Sequence, residues 1–190
     1  MYIISQNISN YDIPFPQDSI FRINLAWVES VEVLISLVEK HVTHQLFIDI
    51  PIGRTKPPSN RYDISEIIHV IEKYDNIRYL AISNVEKPED FIQIQNQIPE
   101  RVIIVPKIES TSGVNHIQEI ISSLRASNKI IMLDHDDLYT SLIKNGKNPS
   151  DFKDYLIKLS EFCNKNDVIL LRTIGVIFSD EEKKINQYVK

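Results

Sequence analysis

Glu109 and Asp137 are the residues around which chemistry can be built. Each follows a short apolar run, residues 102–105 and 129–133, that reads as a β-strand. Sequential strands of a parallel sheet lie about 4.8 Å apart. Two carboxylates at their ends repel each other unless a cation lies between them. Mg2+ accepts one or two protein carboxylates at about 2.1 Å and keeps its other positions for water and substrate oxygens. Such an ion polarises a carbonyl and stabilises an enolate. Lys107 lies two residues before Glu109, so its ammonium can face the same mouth and offset enolate or phosphoryl charge. The plainer use of both carboxylates is at helix starts, where they interact favourably with the helix dipole.

Other polar residues fall at the carboxyl ends of apolar runs: Asn24, Asp49, Ser83, the cluster Asp134-His135-Asp136-Asp137, and Arg172 with Thr173. In parallel α/β folds this is where ligands bind. Asp49 closes an apolar strand, where an unpaired carboxylate is costly. Arg22 is two residues before Asn24 and shares its side of the strand. It can grip a phosphate or carboxylate bidentately, or pair with Asp49. His135 reads as a polar loop residue, since no second histidine is spaced for a metal. His41, His44, His69 and His116 read as surface or boundary residues, and Cys163 as a small buried hydrophobe.

The elements that must position these residues alternate along the chain. Residues 20–25, 46–50, 77–83, 102–105, 129–133 and 168–171 read as strands, with an uncertain seventh at 2–4. Helical spacing covers 28–41, 63–74, 88–98, 113–126, 151–165 and 180–189. Asp63 and Glu66 have the spacing of a capping box, and Pro88 suits a first helical position. Residues 51–60 hold three of the nine prolines and read as a loop. Strand–helix repetition implies a parallel sheet with right-handed crossovers. Strands that are apolar throughout imply that both faces are covered. An open doubly wound sheet and a (β/α) barrel both fit. Eight barrel units need about 250 residues, so a chain of 190 would form a compact or incomplete TIM-type barrel, in one domain over residues 1–190. Such a barrel leaves an edge strand, which a homodimer or another partner would cover.

Composition narrows the function classes. The net charge of −5 gives no electrostatic footprint for nucleic acid. The single cysteine excludes an internal disulfide and a cysteine metal framework. No apolar run approaches the roughly 20 residues of a membrane span, and the first residues do not read as a signal peptide. The expectation is a cytoplasmic protein. Four glycines, with no glycine-rich phosphate loop, exclude the usual nucleotide cradles.

The segment from 104 to 139 resembles pyruvate kinase. The residues that carry the resemblance are Pro106-Lys107-Ile108-Glu109, Gly113-Val114-Asn115, Glu119-Ile120, Ile131-Met132 and Asp137-Leu138. Citrate lyase beta subunits and metal-dependent pyruvate aldolases keep the glutamate and aspartate in a similar arrangement. Upstream, Phe21-Arg22-Ile23-Asn24-Leu25 is similar to the family's R-x-N strand, and 80–85 with Glu89-Asp90 to the strand and helix start before K-I-E. The resemblance implies that Glu109 and Asp137 hold Mg2+ or Mn2+ and that Lys107 meets the phosphoryl or enolate oxygen. It implies that Arg22 contacts phosphate, that Asn24 and Asp49 belong to a K+ site, and that Thr173 lies near the substrate with Ser83.

The chain also departs from the family. Ala26 and Trp27 replace serine and histidine, Ile50 replaces a threonine beside the potassium aspartate, and Asp134-His135-Asp136 replaces A-R-G. A single barrel domain is expected, without the family's lid domain after Asp49 and without its carboxyl-terminal regulatory domain. The expectation is a metal-dependent enzyme acting on phosphoenolpyruvate, pyruvate or a related α-keto acid through an enolate, of lyase, aldolase or transferase type. The alternative is an inactive scaffold that serves binding or assembly.

Overall fold

A computed structural model describes residues 3–5, 18–53, 60 and 62–172. Thr173, the helix expected at 180–189 and much of the proline-rich loop lie outside them. Seven strands form one sheet in sequential order: β1 (Ile3–Ser5), β2 (Ile20–Asn24), β3 (Gln45–Ile50), β4 (Ile77–Ile82), β5 (Ile103–Ile108), β6 (Ile130–Leu133) and β7 (Ile169–Arg172). Every pairing is parallel. Sequential order with helical crossovers is the order of a barrel, not of a doubly wound sheet, whose strand order reverses. The architecture is an incomplete TIM-type barrel. Among the described residues no ladder joins β7 to β1.

The helices are α1 (Val31–Lys40), α2 (Ile64–Lys73), α3 (Ile92–Gln97), α4 (Thr111–Asn115), α5 (Ile117–Ser123), α6 (His135–Lys144) and α7 (Phe152–Lys165). Four of them, α1, α2, α4 and α6, start at capping side chains. Ser30 accepts a hydrogen bond from Val33 N, Asp63 from Ser65 N, Ser110 from Gly113 N and Asp134 from Asp137 N. Pro88 opens a short 3-10 turn, Pro88–Asp90, ahead of α3. The helix expected over 113–126 is two, α4 and α5, separated at His116. Helix α6 replaces what read as a loop, and its first residue is His135. His41 is buried rather than superficial, at 4.2 Å from the Phe21 ring centre.

Strand periodicity divides the apolar residues into two cores. Phe21 and Ile23, Leu46 and Ile48, Leu80 and Ile82, Ile104 and Ile108, and Ile131 and Leu133 pack against the helices. Residues of the other parity, Ile20, Phe47, Ala81, Val105, Ile130 and Met132, form a smaller inner core. Further along, this inner face becomes polar, with Arg22 and Asn24 on β2, Asp49 on β3, Ser83 after β4, Lys107 on β5 and Glu109 just after it. The same alternation that builds the core therefore aims these side chains into the carboxyl mouth.

Two backbone features shape that mouth. Pro106 has no N–H to donate, and the β5–β6 ladder holds only Lys107↔Met132 and Ile108↔Leu133. Gly113 lies so close to the segment after β4 that an added Cβ would stand 2.6 Å from Val85 O. Val85 N in turn donates to Lys107 O at 3.1 Å. Gly113→Ala is expected to lower stability by about 1–3 kcal/mol, measured by urea denaturation. An unchanged midpoint would show that the two segments part freely.

Candidate active site

Lys107 reaches three partners across the inner face. Its Nζ lies 2.7 Å from Glu109 Oε1 and 3.5 Å from Asp49 Oδ2, and it donates to Ser83 Oγ at 3.0 Å. Asp49 stands on β3, two strands away. The register Asp49↔Ala81↔Val105 puts the small Ala81 between, and its methyl side chain leaves the lysine a path. Arg22 closes the far side, with NH2 paired to Asp49 Oδ2 and Nε donating to the same oxygen at 3.2 Å. Asp49, Lys107 and Glu109 are 1%, 5% and 4% exposed, so water screens these charges little.

Burial alone would raise the Asp49 pKa, but Lys107 and Arg22 outweigh it and hold the carboxyl below its ordinary range. Burial alone would lower the Lys107 pKa, but Asp49 and Glu109 outweigh it and hold the amine as ammonium. Glu109 behaves differently. Burial pushes its carboxyl up, the nearby Asp134 adds to the push, and Lys107 and the Asn84 N–H only partly oppose it. One lysine is shared between two carboxylates, and Glu109 is left short of positive charge.

The mouth supplies more acid. Glu109, Asp134 and Asp137 each offer a carboxylate oxygen, and these atoms lie within 4.8 Å of one another. Three carboxylates gathered within this distance make the mouth acidic among the described residues. An anionic, all-oxygen donor set suits a hard divalent cation such as Mg2+ or Mn2+. The residues present therefore fit such an ion, with Glu109 anchored by Lys107 on Oε1 and by Asn84 N, at 2.7 Å, on Oε2. Asn84 adopts the left-handed conformation, φ 56°, which asparagine tolerates better than most residues. Its side chain donates to Ile52 O at 2.7 Å and ties the loop after β3 to the site.

A cleft of about 360 Å³ opens over this cluster, with Ser83, Asn84, Glu109 and Asp137 in its wall. Lys107 is not part of that wall and lies directly behind Ser83 and Glu109. Asp137, read either as a strand-end ligand or as an acid at a helix start, sits in the first turn of α6. Asp134, the residue that does follow the strand, was not singled out as a ligand. The i, i+3 spacing of two aspartates ahead of Leu138 was the available signal. Asn24 and Asp49 are paired in register on neighbouring strands. Asn24 Oδ1 accepts from Ala26 N at 3.0 Å, and Asp49 Oδ2 meets Arg22 and Lys107. Of the two uses open to Arg22, the structure shows the pair with Asp49. Thr173 lies outside the described residues.

No protein-family model matches the chain, and no curated protein is similar to it in sequence. Solved structures share its fold. RipC from Yersinia pestis matches with a TM-score of 0.60 at 14% identity, over 90% of this chain and 78% of that one. A HpcH/HpaI aldolase/citrate lyase family protein from Burkholderia cenocepacia matches with a TM-score of 0.66 at 11% identity, over 99% of this chain and 84% of the other. At these identities the likeness is one of fold. Among the described residues no helix is long and apolar enough to cross a membrane.

The charge arrangement has a pH consequence. Because the folded Asp49 pKa lies below its unfolded value, its ionisation contributes stability above about pH 4 that is lost as pH falls through the folded value. Asp49→Asn is expected to cost about 3–5 kcal/mol at pH 7, because it removes the buried carboxylate that Arg22 and Lys107 share. The gap to the wild type should narrow in acid when both are compared by chemical denaturation. A gap independent of pH would mean that the carboxylate charge is not what Asp49 contributes.

Proposed function

We propose that the chain is a divalent-cation-dependent enzyme that binds the α-keto-acid end of a small substrate and carries its enolate form, with lyase or aldolase chemistry favoured over phosphoryl transfer. One observation carries the reading: a buried lysine anchors Glu109 at the barrel mouth, beside two further carboxylates. Fold likeness to an aldolase/citrate lyase family protein supports the choice of lyase chemistry as analogy. Pyruvate, phosphoenolpyruvate and related keto acids share the unit such a site recognises.

Glu109, Asp134 and Asp137 would hold the cation, which when bound supplies Lewis-acid polarisation of a carbonyl. Lys107 acts from behind the wall. Its ammonium orients Glu109 and Ser83 and adds fixed positive potential where oxyanion charge develops. With its pKa raised, it does not serve as a base near neutral pH. Ser83 Oγ accepts a hydrogen bond from Lys107, so its own O–H is free to donate elsewhere. The cleft is where it would meet a substrate oxygen. Arg22 acts through Asp49, holding that carboxylate in place against Lys107, and does not itself line the cleft.

Calorimetric titration with Mg2+, followed by oxalate as an enolate mimic, tests the reading. Metal-dependent oxalate binding is expected, weakened by about 10–100-fold in Glu109→Gln or Asp137→Asn. Ligand loss should cost at least as much as the usual loss of a supporting residue around a metal. Exchange of pyruvate methyl protons in deuterated water, followed by proton NMR with Mg2+, then reports turnover. Absence of oxalate binding would remove the metal-site reading. Binding without exchange would leave a keto-acid-binding module.

A further inference from the structure

Helix α7 carries an exposed face that the mouth of the barrel does not use. A groove of about 430 Å³ runs along it, lined by Asp154, Ile157, Lys158, Glu161, Phe162 and Lys165. Ile157 is 42% exposed, and Phe162 is only partly buried against the core. The positions are i, i+3, i+4, i+7, i+8 and i+11, a single stripe of the helix. Any such stripe maps onto itself when a second, antiparallel copy is laid across it. The spacing does not dictate what chemistry then meets. Here Asp154 would face Lys165, Lys158 would face Glu161, and Ile157 would face Phe162. Every charge falls opposite its counter-charge, and the two apolar residues fall on each other.

We propose that this face of α7 binds the same face of a second copy of the chain, antiparallel, across a two-fold axis. Such an interface is isologous, so each pair occurs twice. Opposite charges across it fix register and orientation, and Ile157 with Phe162 supplies the apolar centre. A parallel pairing would set each charge against its like. The plainer use of the four charges is within the helix, where Asp154–Lys158 and Glu161–Lys165 have i, i+4 spacing. The ion pairs formed among the described residues lie elsewhere, on Arg22, Arg101 and Lys107. Lys158 Nζ instead donates to Asn115 Oδ1 at 2.8 Å, which leaves further ammonium protons for a carboxylate. The 14 residues of α7 make about 21 Å of helix. That is too short to bury the roughly 800 Å² per partner of a standard interface, so the association is weak and depends on concentration. None of the six residues lines the mouth cleft, and the proposal is independent of the keto-acid reading.

Sedimentation velocity of the full chain, at low ionic strength and over about 5–500 µM, tests this. The mean mass of the wild type is expected to rise toward that of a dimer. Lys158→Glu and Glu161→Lys should each weaken association by about tenfold, because the two-fold axis turns one substitution into a pair of like-charge contacts. Mixed in equal amounts, the two variants should associate again, since each acidic face then meets a basic one. The chain carrying both substitutions should also recover. Thermal melting checks that every variant remains folded. A wild type that stays monomeric over this range would overturn the proposal. So would a dimer that survives either single substitution unweakened. Loss in the single variants without recovery in their mixture would overturn the two-fold pairing and leave the face to residues 173–190 or to a different partner.

Discussion

A buried ammonium shared between Asp49 and Glu109 is the interaction on which the mouth of this barrel depends. Lys107 brings together residues 49, 83 and 109, from three different strands or strand ends. Each charge would be costly alone in a low-dielectric interior. Together they are tolerable because each has an opposite charge at hand and the geometry is tight. The compensation is uneven, however. Arg22 and Lys107 both reach Asp49 Oδ2, its Oδ1 having no hydrogen bond among the described residues, while Glu109 shares its lysine and faces Asp134 and Asp137. That gathering of carboxylates at one rim, beside a cleft, is the physical reason to propose a divalent cation there. Burial, with Asp134 adding to it, lifts the Glu109 pKa although an ammonium lies beside it.

The scaffold produces this arrangement with few special residues. Period-two alternation sends one parity of each strand to the helices and the other to the inner face. Along the strands the inner set passes from Ile20, Phe47 and Val105 to Arg22, Asp49 and Lys107. Ala81 keeps the path from β5 to β3 open. Gly113 lets α4 press against Val85 O, and through the Val85–Lys107 backbone bond the loop after β4 is fixed to β5. Asn84 then has its N–H aimed at Glu109 from a left-handed turn. Glu109 is thus held by the Lys107 side chain from β5 and by a backbone amide that follows β4.

Much of the fold was legible in the sequence, because fully buried strands and amphipathic helices leave strong periodic signals. The strands at 20–25, 46–50 and 77–83 needed only their apolar runs. Helix α6 was missed because its apolar residues are sparse. Only Leu138 and Leu142 are buried, and three acids in four residues read as a polar loop. That omission moved Asp137 from a helix to a strand end and obscured Asp134, the cap that sits beside it. The α4–α5 break at His116 left no proline or glycine at the junction itself to announce it. At the site, residue types pointed to Lys107, Glu109 and Asp137, but sequence could not tell that Lys107 would lie behind the wall. Its position depends on a reach across Ala81 between segments far apart in the chain. The choice between a ligand-binding and a paired Arg22 was likewise a matter of tertiary distance.

Anomalous diffraction from crystals grown with Mn2+ tests the central claim most directly. A peak is expected about 2.1 Å from a Glu109 oxygen and from at least one of Asp134 and Asp137, with Lys107 still bonded to the other Glu109 oxygen. A crystal that carries Mn2+ elsewhere on the protein, with no peak among these three carboxylates, would contradict the account.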